Sequence, residues 1–190
     1  MSGRPVSDVF SRYASGVTVV TCRNANGQPH GATVTAFAAV SHTPYLCQVA
    51  MAKRSRACQF LDRQPFAVNF LGSEQMPVAM HFAGRPVDPA PTLVEGRVAP
   101  VLTTALATVS CRPWATYDAG DHLIFIGEII DAQVAEGDPL LYYRRGFHGL
   151  SSLSQSDAWS GCSDDPLTGW FDENASFIPA HTLPVSSPIA

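Results

Sequence analysis

The stretch that decides the fold is Gly31–Arg56, GATVTAFAAVSHTPYLCQVAMAKRSR. Together with His30 it reads as one long strand, His30–Ser41. A Pro-marked turn at His42–Thr43–Pro44, a second strand over Tyr45–Ala52 and a basic corner, Lys53–Arg54–Ser55–Arg56, follow before a short helix over Ser55–Leu61 that Pro65 stops. The first strand is rich in small side chains (Gly31, Ala32, Ala36, Ala38, Ala39), which let another backbone or a ligand approach closely. A tightly packed barrel strand and a ligand wall both fit that composition. The corner sets a hydroxyl among cationic side chains ahead of a helix, the donor set of an anion seat. A solvated basic turn fits the same three charges.

On the N-terminal side, Val6, Val9, Phe10 and Tyr13 recur at helical spacing, so residues 6–15 are expected to form a short amphipathic helix that Gly16 ends. Val17–Cys22 is a β-branched strand, and Asn24–Ala25–Asn26–Gly27 is a hairpin turn. On the C-terminal side, Phe66–Leu71 is an apolar strand whose lone polar residue is Asn69. Ser73 is expected to cap a helix over Glu74–Ala83, and Gly84–Pro100, with its prolines, to cross the surface as a loop. Leu106–Arg112, His122–Val134 with a bend at Gly127, and Pro139–Arg145 complete the strands. Six or seven strands at hairpin spacing with few helices predict a mainly β chain closed into an antiparallel barrel.

A length of 190 residues suits one domain that buries about 70% of its unfolded surface. The division expected is a barrel over 1–150 and a Ser/Pro/Gly-rich extension over 151–190; a partly disordered tail fits its composition, and docking through Trp159, Trp170, Phe171 and Phe177 on the barrel or a partner subunit fits its aromatic residues. Only 15% of residues are charged, low for a soluble monomer, which points to a homodimer. A net charge of −4 gives no footprint for nucleic acid. There is no run of apolar residues long enough for a membrane helix and no signal-peptide pattern, so a cytoplasmic protein is expected. Cys22, Cys47, Cys58, Cys111 and Cys162 show no CxxC spacing, as expected of reduced, mostly buried thiols.

Neither GxGxxG nor GxxxxGK[ST] occurs, which argues against a Rossmann domain and a P-loop. The six histidines lack ligand spacing, so no metal site is expected. Asp121 and His122 open the longest strand from a turn. An imidazole there can relay a proton or contact a ligand edge, and it can equally just cap the strand.

Taken together, ASGVTVVT (Ala14–Thr21), GATVTAFAAVSHTP (Gly31–Pro44), the Ser55 turn, FAVNFL (Phe66–Leu71), Gln75–Met80–Phe82–Ala83, AGDHLIFIGEI (Ala119–Ile129) and PLLYYRRGFHGL (Pro139–Leu150) resemble the flavin reductase-like family. These are the NAD(P)H:flavin oxidoreductase partners of two-component flavin monooxygenases. The resemblance implies a dimeric FMN-binding split barrel with a few short peripheral helices. It implies FMN or FAD as cofactor, NADH or NADPH as hydride donor, and transfer of reduced flavin to a monooxygenase. It places Thr33, Val34, Thr35, Ala36 and Phe37 along the flavin and Lys53, Arg54, Ser55 and Arg56 at its phosphate. Ser41, Asn69, Phe82 and Tyr143 are further cofactor contacts, and His122 with Asp121 stands by the reacting rings. Many members have Ser for Ala36, Pro for Tyr45 and Thr for Ala57, so two hydroxyls near the ribityl-phosphate are missing here. Each such bond to a charged group is worth roughly 1.5–3 kcal/mol, so weaker flavin binding is expected. Two other readings follow: a repurposed barrel catalysing a non-redox step on another flat metabolite with acid–base residues near His122, and a non-catalytic flavin-binding module.

Overall fold

The computed structural model describes residues 4–150; the expected 151–190 extension and Cys162 lie outside the described residues. Three short helices, α1 (Arg4–Phe10), α2 (Arg56–Leu61) and α3 (Met76–Phe82), accompany twelve strands. The strands are β1 (Ser15–Gly16), β2 (Thr18–Arg23), β3 (Pro29–Val34), β4 (Phe37–His42), β5 (Tyr45–Ala52), β6 (Phe66–Phe70), β7 (Leu93–Glu95), β8 (Pro100–Leu102), β9 (Ala107–Ala119), β10 (His122–Val134), β11 (Leu141–Tyr143) and β12 (Gly146–His148).

Seven strands form the main antiparallel sheet in the order β3-β2-β6-β9-β10-β5-β4. Its two edges, β3 and β4, are consecutive in the chain and separated only by Thr35 and Ala36. Laid flat, seven strands would hold those edges roughly 29 Å apart at about 4.8 Å per strand. The three peptide steps from Val34 to Phe37 span roughly 11 Å at most. The sheet must therefore roll up, and Ala50 N–H donates to Ala36 C=O at 3.0 Å where the roll closes. The single strand expected over His30–Ser41 is thus two strands on opposite edges. This is the split barrel. A three-stranded sheet, β1-β11-β12, and the ribbon β7-β8 lie outside it.

The barrel interior is filled by Val20, Cys22, Val34, Cys47, Val49, Met51, Leu61, Phe66, Val68, Cys111 and Phe125. A second cluster, Val17, Val19, Leu71, Ala79, Leu102 and Leu140, covers the other face of β2 and β6. Those two strands are consequently buried on both faces. Asn69 sits between them and the β7-β8 ribbon and is 0% exposed. Its Nδ2 donates to the Val19 carbonyl at 2.8 Å and to Thr21 Oγ1 at 2.9 Å, while Oδ1 accepts from Leu102 N–H at 2.7 Å. The four described cysteines are free and buried. Cys47 and Cys111 approach to 3.6 Å between their sulfurs.

Gly127 lies at a register shift of β10. A Cβ there would fall 2.6 Å from Phe66 Cζ and 2.7 Å from Cys111 Cβ. Gly127→Val is therefore expected to destabilise the domain by about 1–3 kcal/mol through overpacking, read as a lower urea midpoint at unchanged slope.

Several local expectations change. α1 stops at Phe10, and Ser15–Gly16 pairs with β11 instead of closing a helix. Its apolar residues Val9 and Phe10, and Tyr13 just past its end, remain exposed, Phe10 and Tyr13 at 73% and 79%. α3 starts at Met76, not Glu74, and its N-cap residue is Gln75, not Ser73; the Gln75 side chain makes no cap bond and instead accepts the Gly72 N–H at 2.8 Å. The expected loop over Gly84–Pro100 contains β7 and the start of β8. β9 runs on to Ala119, because Pro113 and Trp114 fall at the bulge opposite Gly127, where a missing N–H breaks no ladder.

Candidate active site

Because side chains alternate along a strand, the positions next to the core residues of β5 and β10 face outward. Val49, Met51 and Phe125 are core, so Gln48, Ala50 and Ile124 form an outer floor. Over that floor lies a cavity of about 620 Å³, here cavity A, bounded by Thr35, Ala36, Phe37 and Ala38, by Phe10 and Tyr13, and by Tyr143 and Arg144. Among the described residues no backbone acceptor takes the N–H of Thr35 or of Ala36. The β3–β4 crossing therefore offers amide donors beside a flat, small-residue wall, which fits the polar edge of a planar ring system. The far wall is the β11–β12 hairpin. Arg144 and Arg145 form its two-residue loop with φ of 48° and 63°, both left-handed as a type I′ turn requires. Arg144 N–H donates to Ser11 C=O, and the Arg145 guanidinium holds Asp8 at 2.9 Å, which pins α1 over the cavity.

A second cavity of about 700 Å³, cavity B, lies along the earlier part of β3. Its walls include His30, Gly31, Ser55, Arg56, His81 and Phe82. The Phe82 ring lies on the Gly31 backbone, where a Cβ would come within 2.8 Å of it. From Ala32 at cavity B to Ala36 at cavity A the strand advances roughly 13 Å. One elongated ligand can thus follow β3 from a basic end to a flat end.

Beside the cavities' strands stands the corner where β5 ends and the β9–β10 hairpin turns. Gly120, with φ of 74°, opens that two-residue turn, and Lys53 N–H donates to Asp121 C=O at 3.0 Å. His122 is two residues before Ile124 on the same outer face of β10 and lines neither cavity. Its Nδ1 bonds Asp121 Oδ1 at 2.7 Å, which leaves Nε2 as the presented nitrogen. His122, and more weakly Arg54, hold the Asp121 carboxyl below the usual carboxylate range. Lys53 Nζ bonds Asp118 Oδ2 at 2.6 Å and likewise holds Asp118 low. A carboxyl depressed in the fold contributes stability that is present above its ordinary value of about 3.9 and is lost as pH falls through the lowered one. Lys53→Met is accordingly expected to return the Asp118 titration, followed by carboxyl NMR, toward the ordinary value.

The residues singled out in the sequence thus fall into distinct places. Thr35, Ala36, Phe37 and Tyr143 meet at cavity A; Ser55, Arg56 and Phe82 meet at cavity B. His122, Asp121, Lys53 and Arg54 form the corner at the end of β5 and line neither cavity, with the Lys53 ammonium engaged by Asp118. Thr33 Oγ1 donates to Ala79 C=O at 2.6 Å and Val34 is core, so this pair presents backbone more than side chain. Ser41 Oγ accepts from Thr43 N–H at 3.2 Å in the β4–β5 turn and lines neither cavity. Asn69 is corrected outright: its amide is spent on the core and has no surface to offer a cofactor.

The model of the flavin reductase like domain matches residues 10–151. The chain belongs to the flavin reductase-like family. This family member is 39% identical over 145 residues to the reductase component of 4-hydroxyphenylacetate 3-monooxygenase from Thermus thermophilus, a match covering 75% of this chain and 93% of that one. It is 32% identical to the NADH-dependent flavin reductase of a Rhodococcus species, over 79% and 88% of the two chains. Among solved structures, the NADH:FAD oxidoreductase SgcE6 of Streptomyces globisporus, in complex with NAD and FAD fragments, superposes with a TM-score of 0.74 at 31% identity. That likeness covers 81% of this chain and 96% of the other.

Of the three departures from the family pattern, only Ala36 lines a cavity. Ala57 is 0% exposed inside the barrel, and Tyr45 stands at the outer start of β5 against the His42 ring. Sequence reasoning missed Gln48, Ala50 and Ile124, although their alternation with core positions marks them as one outward row. It also missed the α1 face, which was read only as an amphipathic helix, and His30 and His81, which only the fold brings together.

Proposed function

We propose that this protein reduces FMN or FAD with NADH or NADPH and releases the reduced flavin to a partner monooxygenase. The observation that carries the reading is β3: it runs from the basic cavity B toward the flat cavity A and is followed by the amides of Thr35 and Ala36, which have no backbone acceptor among the described residues. A bound flavin would supply the hydride-accepting ring and the nicotinamide the hydride, so the redox chemistry would be the cofactors' own. The chain's share is orientation and electrostatics. The amides of Thr35 and Ala36 hold the polar ring edge, while Ala38, Ala50 and Ile124 give a dry floor against which a second ring can stack. Arg56 and Ser55 take phosphate, for which the guanidinium is suited. His122, oriented by Asp121, presents Nε2 on the outer face of β10, two residues from Ile124, where it can hold a proton. The loss of the hydroxyl at Ala36 favours loose binding, which suits a flavin that arrives and leaves as substrate.

The exposed apolar residues of α1 at the rim of cavity A, together with exposed Trp114 and Tyr117 on β9, support a homodimer. Sedimentation should show two copies, and Tyr117→Glu should weaken the pair. The decisive assay is oxidation of NADH or NADPH by the purified chain with and without added FMN or FAD. Flavin-dependent oxidation is expected; its absence with both nicotinamides and both flavins refutes the reading.

A further inference from the structure

α1 is attached to the domain differently from the other two helices. α2 puts Ala57, Cys58 and Leu61 into one core cluster, and α3 puts Ala79 into the other. Neither cluster contains Val6, Val9 or Phe10 of α1, and all three are exposed. The β11–β12 loop ties the helix down instead. The Arg145 guanidinium donates to Asp8 Oδ1 at 2.9 Å and to Ser7 Oγ at 3.2 Å, and Arg144 N–H donates to Ser11 C=O at 2.9 Å. Both positions of that loop need a positive φ, which glycine adopts freely and a long side chain does not. Arg145, at φ 63°, therefore carries backbone strain, and such strain persists where the contacts around it hold it in place. The contacts of its own side chain go to α1. On the other side of residues 11–14, Ser15 and Gly16 are fixed by pairing with β11, so the short link is where the helix can swing. Phe10 and Tyr13 bound cavity A, so lifting α1 takes that wall away.

We propose that α1 is a lid over cavity A and that Asp8 and Arg145 are its latch, positioning residues that set how often the cavity opens. They act through α1 and not on the reacting groups. The strength of the tie suits that task. The Arg145 and Asp8 side chains are 62% and 65% exposed, and an ion pair so placed shifts an equilibrium only about two- to fivefold. That is too weak to fix a helix permanently and enough to bias a cover that opens in every turnover. The ligand that passes the lid rests on the flavin reductase reading, in which flavin arrives and leaves as a substrate; the latch itself can be tested without ligand.

The latch is read in the full chain at the Arg144 amide, whose bond to the Ser11 carbonyl must break when the lid lifts. Asp8→Asn should speed hydrogen exchange at that amide about two- to fivefold. Raising salt from about 0.02 to 0.5 M should do the same in the parent chain and nothing further in the variant. Exchanging the charges, Asp8→Arg with Arg145→Asp, should bring the rate back to within about twofold of the parent, which the loss of a purely structural contact at either position would not allow. Access is read as FMN release, followed by flavin fluorescence at one salt concentration, and should quicken in Asp8→Asn by the same factor as the exchange. Exchange at Arg144 that ignores both Asp8→Asn and salt overturns the latch. Exchange that responds while FMN release does not overturns the lid. Exchange that slows with protein concentration and ignores Asp8 assigns α1 to a contact between copies and overturns both. A chain that binds no flavin, but whose Arg144 exchange follows the charges at 8 and 145, retains the latch and refutes the reductase reading.

Discussion

Replacing Asn69 by leucine should cost the domain about 2–4 kcal/mol while removing no ligand contact. The substitution keeps roughly the same shape but deletes three buried hydrogen bonds, to the Val19 carbonyl, Thr21 Oγ1 and the Leu102 N–H. Thr21 retains the Pro100 carbonyl as an acceptor, so the burden falls on the two main-chain groups. A buried polar group left without its partner costs roughly 1–3 kcal/mol. Against a total of about 5–15 kcal/mol for a typical domain this is a large share. Urea denaturation gives the stability change, and a flavin titration of the folded fraction should give the unaltered affinity. A loss below about 1 kcal/mol, or a flavin affinity that falls at constant stability, would mean that Asn69 does something other than tie β2, β6 and β8 together.

The opposite pattern is expected at Ala50. Its side chain stands on the outer floor of cavity A, between the core residues Val49 and Met51 that face the other way. Ala50→Trp fills the space a planar ring would take without entering the barrel interior. Thermal unfolding should hardly move, whereas flavin-dependent nicotinamide oxidation should fall by about 100-fold or more, since displacements near 1 Å at reacting centres already cost that much. Retained activity in a folded Ala50→Trp protein would place the chemistry elsewhere. Asn69 and Ala50 thus separate architecture from chemistry at two positions that the bare sequence does not distinguish.

Legibility in the sequence followed the range of the interactions involved. Tyr45–Ala52 and His122–Val134 were readable to the residue because each is a long β-rich run bounded by turn signals. The break at Thr35–Ala36 was not, since neither glycine nor proline marks it. It exists because the sheet edges must meet, a constraint set by five other strands. The C-terminal half of β9 was masked by Pro113 and Trp114, whose tolerance depends on Gly127 across the ladder. Within the site, the flat stretch Thr35–Phe37 and the Ser55–Arg56 seat were legible through resemblance. Lys53 was read toward a phosphate because its partner Asp118 is 65 residues away, and Asn69 was placed at the cofactor through resemblance, which does not reveal the three partners that the fold gives it.

The two-residue link between β3 and β4 also governs the order of events during folding. The long β9–β10 hairpin is local and can form early, whereas joining opposite edges must wait until the intervening strands are in register, since non-local pairing pays its loop entropy first. The wall of cavity A is completed only at that last step. A ligand held there has no partner in the folding transition state, so it is expected to slow unfolding and leave the refolding rate nearly unchanged. Occupancy would then act as a kinetic clasp on the barrel's final seam.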